Sequence, residues 1–171
     1  LHVQMQSRFM RMHLDQVPAL ESGLHLYPKA VEFWFELQRH LDADFGLKAS
    51  GGLMVAESRE QLDFLAKKAE RERSLGLDSK ILDRDELSQI APYLGPAVVG
   101  AELCAAEGRL DALKANTALR RWVRRVGVMV TGETSVDRVS RDGERFKLDT
   151  SRGTVRAATL VIAAGPGSLA L

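Results

Sequence analysis

Cysteine, aromatic residues and an excess of one charge are all scarce in this chain of 171 residues. Cys104 is its single cysteine, aromatic residues make up 6%, and 24 Lys and Arg against 23 Asp and Glu leave a net charge of +1. One thiol cannot form an internal disulfide, so we predict a reducing, cytoplasmic location. A charge so near zero provides no whole-chain attraction for nucleic acid, and we predict none as a partner. Apolar runs stay below the roughly 18 residues of a membrane span, so we predict no span.

Metal-binding motifs are missing as well. The histidines have no partners at the spacing of metal ligands and no Cys-x-x-Cys pair occurs, so we predict no metal site. The histidines are His2, His13, His25 and His40. The remaining composition, with 45% hydrophobic and 27% charged residues, predicts about one globular domain. Because the chain begins with Leu1 rather than Met, we interpret it as a piece of a longer protein.

Helical and extended patterns alternate in the first half of the chain. Apolar residues fall on one face of a helix predicted over residues 23–41. They are Ala30, Phe33, Trp34, Leu37 and Leu41. Residues 47–56 are predicted to be extended, and they contain the pair Gly51 and Gly52. Paired glycines inside a strand indicate a bulge or a close approach by another group.

Capping residues and charged runs mark the helices. Three side chains have the position of an N-cap, namely Ser58, Asp83 and Asp111. We interpret the charged residues 67–73 as the solvated face of the helix after Ser58. The basic run Arg120–Arg125 has two interpretations, a patch for a membrane or nucleic acid and an ordinary solvated helix surface. The second is favoured because Trp122 and Val123 are needed on the core face of that helix.

The last third of the chain predicts strands after a helix over residues 112–126. The predicted strands cover residues 128–130, 134–140, 146–150, 154–157 and 160–164. The last of them has no polar alternation, which is typical of a central strand buried on both faces of a parallel sheet. We therefore predict an α/β fold with mixed α+β character. Gly165 after this strand either lets a ligand approach the backbone or serves a tight turn.

Several segments, taken in order, resemble one family. They are Leu1–Arg8, Gly51–Ser58, Glu107–Asp111, Val126–Val128, Glu133–Val136, Thr150–Gly153 and Val161–Gly165. Together they are similar to the FAD-dependent amine and amino-acid oxidoreductases, which include glycine oxidase, sarcosine oxidase, D-amino-acid oxidase and the opine and cyanide-forming dehydrogenases. Two positions depart from the family pattern, because Ala112 stands where proline is usual and Gly167 where tryptophan is usual.

The resemblance implies an architecture. Residues 1–23 would follow a first dinucleotide-binding unit, residues 24–104 would form part of an antiparallel substrate-binding domain with helices, and residues 105–171 would form part of the FAD-binding sheet with its β-meander. The family's G-x-G-x-x-G motif does not occur in this sequence. The piece is therefore expected to hold FAD weakly or not at all and to be inactive alone.

The resemblance also implies site residues, each by its match to a family segment. Leu1, His2 and Val3 match the stretch that passes the isoalloxazine ring. Val136 matches the position whose backbone meets the adenine. The segment close to the dinucleotide is matched by Ala163, Ala164 and Gly165. Catalytic residues remain unassigned.

The implied activity of the whole protein is oxidation of a C–N bond. Its substrate would be an amino acid or a secondary amine, with hydride transfer to FAD and hydrolysis of the imine by water. The particular amine and the electron acceptor, oxygen or another carrier, stay open. The alternative is a non-catalytic interaction module or subunit derived from the same fold. We expect the piece to self-associate, or its parent to contain a hetero-subunit, because an unpaired apolar strand edge attracts another chain.

Overall fold

The computed structural model describes residues 1–171, which contain six α-helices, six β-strands and two 3₁₀ helices, Leu14–Gln16 and Gly165–Ala170. The helices are α1 (Ser7–Met12), α2 (Val17–Leu24), α3 (Leu26–Leu41), α4 (Arg59–Ser74), α5 (Arg84–Ile90) and α6 (Ala112–Arg125). The strands are β1 (Gly52–Ala56), β2 (Ser79–Asp83), β3 (Gly100–Cys104), β4 (Val136–Asp142), β5 (Arg145–Thr150) and β6 (Gly153–Ala157). None of the helices combines the length and the apolar character that a membrane crossing requires.

The chain divides into two compact units, Leu1–Trp122 and Val123–Leu171. The first unit contains the antiparallel sheet β1-β3-β2, with β3 in the middle. Glu102 of β3 stands opposite Met54 of β1 and Ile81 of β2. Helix α4 packs on this sheet, and α5 also contacts β2 and β3. The structure confirms the prediction of mixed helices and antiparallel strands, whereas the division at residue 104 by role stays a prediction.

Capping interactions begin three helices where the sequence predicts them. The Ser58 hydroxyl accepts the Gln61 backbone N–H at 3.2 Å at the start of α4. Asp83 and Glu86 form a reciprocal capping box on α5. One Asp111 carboxylate oxygen accepts two backbone N–H groups of α6 at 3.0 Å. Each cap satisfies amides that have no partner inside their own helix.

Three apolar clusters form the core of the first unit. One joins the amino-terminal segment to α2, α3 and β3, and its buried members include Val3, Met5, Met10, Leu24 and Val31. A second lies between the sheet and α5 around Leu87. A third packs α6 against α3 around Phe45, which is fully buried, and Trp122 belongs to it. The core role predicted for Trp122 is thus confirmed, and Arg120, Arg121, Arg124 and Arg125 are exposed on the same helix.

The second unit contains the antiparallel meander β4-β5-β6. Val139 of β4 stands opposite Leu148 of β5, which stands opposite Val155 of β6. The register of β4 and β5 shifts between Val136 and Arg138, which marks an irregularity at the start of β4. This sheet matches the predicted three-stranded meander.

Two predicted strands of the second unit are wrong for this structure. Residues 128–130 and 160–164 form no strand, and neither sheet pairs with them. Val161 is 82% exposed rather than buried. An apolar segment becomes a central strand only when neighbouring strands accept its backbone hydrogen bonds and other elements cover its faces. These 171 residues place no such partners beside either segment.

Candidate functional site

The carboxylate of Glu107 fixes the amino-terminal segment against the turn that follows β3. Its Oε1 accepts the backbone N–H groups of Val3 at 2.9 Å and Gln4 at 2.8 Å. The same oxygen lies 2.9 Å from His2 Nδ1. Leu1 and Gly108 exchange backbone hydrogen bonds of 2.8 and 3.1 Å. The predicted site residues Leu1, His2 and Val3 are therefore held together beside the first sheet.

Glycine at position 52 leaves the room that this carboxylate occupies. A Cβ on Gly52 would collide with the Glu107 side chain. Gly51 has φ +86°, a left-handed conformation that favours glycine. The close approach predicted from the paired glycines is confirmed, and the approaching group is Glu107.

A small cavity lies against the same segment. Its volume is about 210 Å³, and it is lined by His2, Gln4, Met5, Gln6, Phe9, Leu20 and Tyr27. Gln4 is 4% exposed, and its Nε2 donates to the Gly52 carbonyl at 3.2 Å. Its Oε1 is buried and has no hydrogen-bond partner. A buried acceptor without a partner is costly unless a ligand or water supplies a donor.

A charged cluster lies buried between α4 and the first sheet. Lys68 Nζ lies 2.8 Å from Glu72 Oε1 and 2.7 Å from Glu102 Oε2, and all three side chains are 0% exposed. This corrects the interpretation of residues 67–73 as a uniformly solvated face. Lys68 and Glu72 continue the helical face of Leu65 and Ala69, which was the sequence signal that the charges concealed.

The cluster splits the pKa values of its two carboxyl groups. Burial, together with the neighbouring Glu72, raises the pKa of Glu102 to about 7. Burial opposes ionisation of Glu72 too, but hydrogen bonds with Glu102, Lys68 and the Met5 amide lower its pKa overall. One ammonium cannot neutralise two buried carboxylates, so below about pH 7 the proton resides on Glu102 and Glu72 carries the charge. Burial also raises the pKa of the Cys104 thiol, as suits a core cysteine.

The remaining predicted residues lie in the second unit. Val136 begins β4, which is an edge strand of the meander. An edge strand leaves one row of backbone N–H and C=O groups unpaired, so the strand can offer both to the edge of a base.

Ala163, Ala164 and Gly165 lie in an exposed turn that leads into the 3₁₀ helix Gly165–Ala170. Gly165 has φ +55°, and a Cβ there would meet no atom within 4 Å. The turn geometry is therefore enough to account for the glycine within this chain. Its approach to a cofactor stays a prediction.

Each unit, taken by itself, has polar groups of a kind that FAD can use. The buried Gln4 oxygen fits the N–H groups of a flavin ring or an amine, and the free edge of β4 fits a purine edge. The pyrophosphate needs glycine-rich backbone at a helix start, and no G-x-G-x-x-G motif occurs in the 171 residues. The sequence thus contains no phosphate loop of that kind, and the cofactor roles of these residues stay predictions.

Comparison with known proteins finds relatives that are named as oxidases or dehydrogenases of amino acids or opines. D-amino acid dehydrogenase of Agrobacterium fabrum is 29% identical over 133 residues, which are 75% of this chain and 32% of that protein. One subunit of the opine oxidase of Rhizobium meliloti is 29% identical over 129 residues, 71% of this chain and 34% of that subunit. Glycine oxidase of Geobacillus kaustophilus is 28% identical over 150 residues, 87% of this chain and 39% of the enzyme. Its crystal structure matches 86% of this chain and 39% of the enzyme chain with a TM-score of 0.66.

The chain spans about a third of the length of the curated relatives it matches. A family model described as FAD dependent oxidoreductase matches residues 7–171. This match and the relatives confirm the resemblance drawn from the ordered segments. Because the model matches nearly the whole chain, the chain belongs to the family of FAD-dependent oxidoreductases.

Proposed function

We propose that the protein to which this chain belongs oxidises the C–N bond of an amino acid or secondary amine with FAD. The family match over residues 7–171 is the observation that carries the proposal. Two of the relatives are named for amino acids, D-amino acid dehydrogenase and glycine oxidase. Their names support an amino acid or a related amine as the substrate class.

The reaction removes a hydride from the carbon bonded to nitrogen and a proton from the nitrogen. Bound FAD supplies the two-electron acceptor. The resulting imine reacts with water to give a carbonyl compound and an amine or ammonia. The atoms of both products come from the substrate and water, and FAD takes up the hydride. The reaction therefore requires no nucleophilic side chain from this chain.

In this proposal the residues of this chain bind and orient the substrate and FAD. Glu107 holds His2, Val3 and Gln4 in place, so the flavin ring or the substrate would meet a preset surface. Gln4 Oε1 would accept a hydrogen bond from an N–H group. Val136, Ala163, Ala164 and Gly165 would line the adenosine portion of FAD, as the resemblance implies.

The test is anaerobic reduction of the full-length, FAD-loaded protein. We expect its visible flavin band to bleach with at least one of D-alanine, glycine, N-methylglycine and L-proline. D-lactate is the matched control for D-alanine, because it carries a hydroxyl in place of the amine, and it should leave the band unchanged. Bleaching by the hydroxy acid alone, or the absence of flavin, would overturn the proposal.

A non-catalytic or subunit role is the second candidate. It is supported by the similarity to a protein named as one subunit of an opine oxidase. Bleaching of the purified protein by an amine without any added partner would exclude a non-catalytic role. Bleaching only after addition of a co-purifying protein would favour the hetero-subunit.

A further inference from the structure

The buried cluster of Lys68, Glu72 and Glu102 does more than join α4 to β3. Glu72 Oε1 accepts the Met5 backbone N–H at 2.6 Å, and its Oε2 accepts the Ser79 hydroxyl at 2.9 Å. Met5 belongs to the amino-terminal segment, 67 residues away in the chain. The cluster is therefore connected to the segment that borders the cavity.

Two carboxylates on different elements hold three consecutive amides of that segment. Glu107, in the turn after β3, takes the amides of Val3 and Gln4, and Glu72 of α4 takes the amide of Met5. An extended segment has no hydrogen bonds of its own, so its position depends on these acceptors. Gln4 and Met5, which both line the cavity, are thus each held by one of these two carboxylates.

We propose that Glu72 is a positioning residue that sets the place of Gln4 and Met5 at the cavity, with Lys68 holding its carboxylate in the charged form. The role in substrate or flavin orientation rests on the proposed function above. The structural part of the role does not, because it concerns only the Met5 amide and its acceptor.

Stability alone is a poor reason for such a cluster. Removing an ammonium and two carboxyl groups from water is costly, and apolar residues of similar volume often serve a core as well or better. An ionised carboxylate, however, accepts a hydrogen bond from an amide about twice as strongly as a neutral group does. Lys68 supplies the charge that keeps Glu72 ionised, and Glu102 takes up the excess proton.

The test compares two variants that each remove one carboxylate from the same cluster. Glu72→Gln weakens the acceptor for Met5, whereas Glu102→Gln leaves that acceptor paired with Lys68. Glu70→Gln, on the exposed face of α4, is the control outside the cluster. Backbone hydrogen exchange of the peptide covering residues 1–6 is measured in the full-length, FAD-loaded protein, with the urea midpoint measured in parallel.

We expect exchange at Met5 to accelerate about tenfold in Glu72→Gln and to stay within about twofold of wild type in the other two variants. The KM for the bleaching amine should rise in Glu72→Gln alone. Equal acceleration in Glu72→Gln and Glu102→Gln, matched by equal loss of stability, would overturn the proposal and leave the cluster a structural element. Hydrogen exchange does not depend on turnover, so this measurement tests the role of Glu72 at the Met5 amide even if the proposed function is wrong.

Discussion

Gly52 shows at the residue scale how one missing side chain builds the site. Because Gly52 has no Cβ, the Glu107 carboxylate can approach β1 closely at this position. That carboxylate fixes the segment before α1. Paired glycines in a strand indicated such an approach, but the identity of the approaching residue is a long-range fact. Glu107 is 55 positions further along the sequence.

Gly52→Ala should therefore destabilise the protein. The new Cβ would displace Glu107 from the amides of Val3 and Gln4, at a cost of about 1–3 kcal/mol in the free energy of unfolding. Gly23→Ala is the matched control, because Gly23 lies inside α2 with nothing near its Cβ position. That change should stabilise by about 0.5–1 kcal/mol. Urea unfolding measures both, and equal midpoints for the two variants would contradict the expectation.

Gly165 and Gly143 form a pair that separates a cofactor contact from a turn. Their φ angles are +55° and +61°, and neither would place a Cβ within 4 Å of another atom of the chain. Asn accepts this conformation better than other residues with a side chain. Gly165→Asn and Gly143→Asn should thus have similar stability, while Gly165→Asn alone should lower flavin occupancy of the full-length protein. Equal occupancy by absorbance would make Gly165 a turn residue only.

Helix α4 illustrates the element scale. Its sequence is rich in charge over residues 67–73, which predicts a solvated face, yet two of those charges point into the core. The periodicity that places Leu65 and Ala69 inside also places Lys68 and Glu72 inside. Glu102 of β3 completes the cluster, and it is a polar partner of Lys68 that the helix sequence does not contain.

The pKa of Glu102 gives the cluster a characteristic pH dependence. A carboxyl with a pKa of about 7 in the folded protein and an ordinary value of 4.5 unfolded binds more protons when folded. Its contribution to stability therefore falls as pH rises from about 4.5 to about 7. The ionised Glu72 carboxylate stabilises the folded protein. Because its pKa is lowered, this contribution is lost only in acid, as the pH falls. The other ionisable groups around the pair are Lys68 and Cys104, with Arg73 bonded to the nearby Ser79 carbonyl.

Glu102→Gln should remove this dependence. Between about pH 5 and pH 8 the variant should gain stability relative to wild type, on the order of 2 kcal/mol. Urea unfolding at the two pH values measures the change, and Glu70→Gln should keep the wild-type slope. Parallel pH profiles of wild type and Glu102→Gln would show that the carboxyl titrates in its ordinary range.

Weak affinity for FAD is the first expectation at the scale of the whole molecule. The 171 residues include no glycine-rich phosphate loop. Such a loop at a helix N-terminus is what recognises the pyrophosphate of a dinucleotide. Titration of the isolated chain with FAD, followed by flavin fluorescence, should give weak binding, and gel filtration should remove the cofactor. Stoichiometric flavin retained after gel filtration would contradict this.

Self-association of the isolated chain is the second expectation at the scale of the whole molecule. Large apolar side chains of the second unit are exposed, with Met129 at 89%, Val161 at 82% and Leu169 at 98%. Exposed apolar surface of this kind favours contact with another chain. Light scattering of the isolated chain should give a mass that rises with concentration, and Met129→Lys with Val161→Lys should reduce the rise. Leu113→Lys, an exposed position on α6, is the control, and a strict monomer at high concentration would contradict the expectation.

Local patterns in the sequence determined much of this protein. The caps at Ser58, Asp83 and Asp111 and the meander β4-β5-β6 follow from interactions between residues near one another in the chain. Such interactions are visible as spacing. The ordered family segments were likewise enough to place the chain among FAD-dependent oxidoreductases. The predicted face of α3 is only partly correct, because Leu41 is buried whereas Phe33 is 59% exposed.

Tertiary structure alone decided the rest. The sequence could not show that Glu107 and Glu72 meet the amides of residues 3–5, because those partners are 67 to 104 positions apart. Nor could hydrophobicity alone make residues 160–164 a strand, since a strand exists only where another strand accepts its hydrogen bonds. Whether a charged side chain is buried and whether a strand finds a pairing partner both depend on residues distant in the sequence. No local sequence pattern indicates which residues those are.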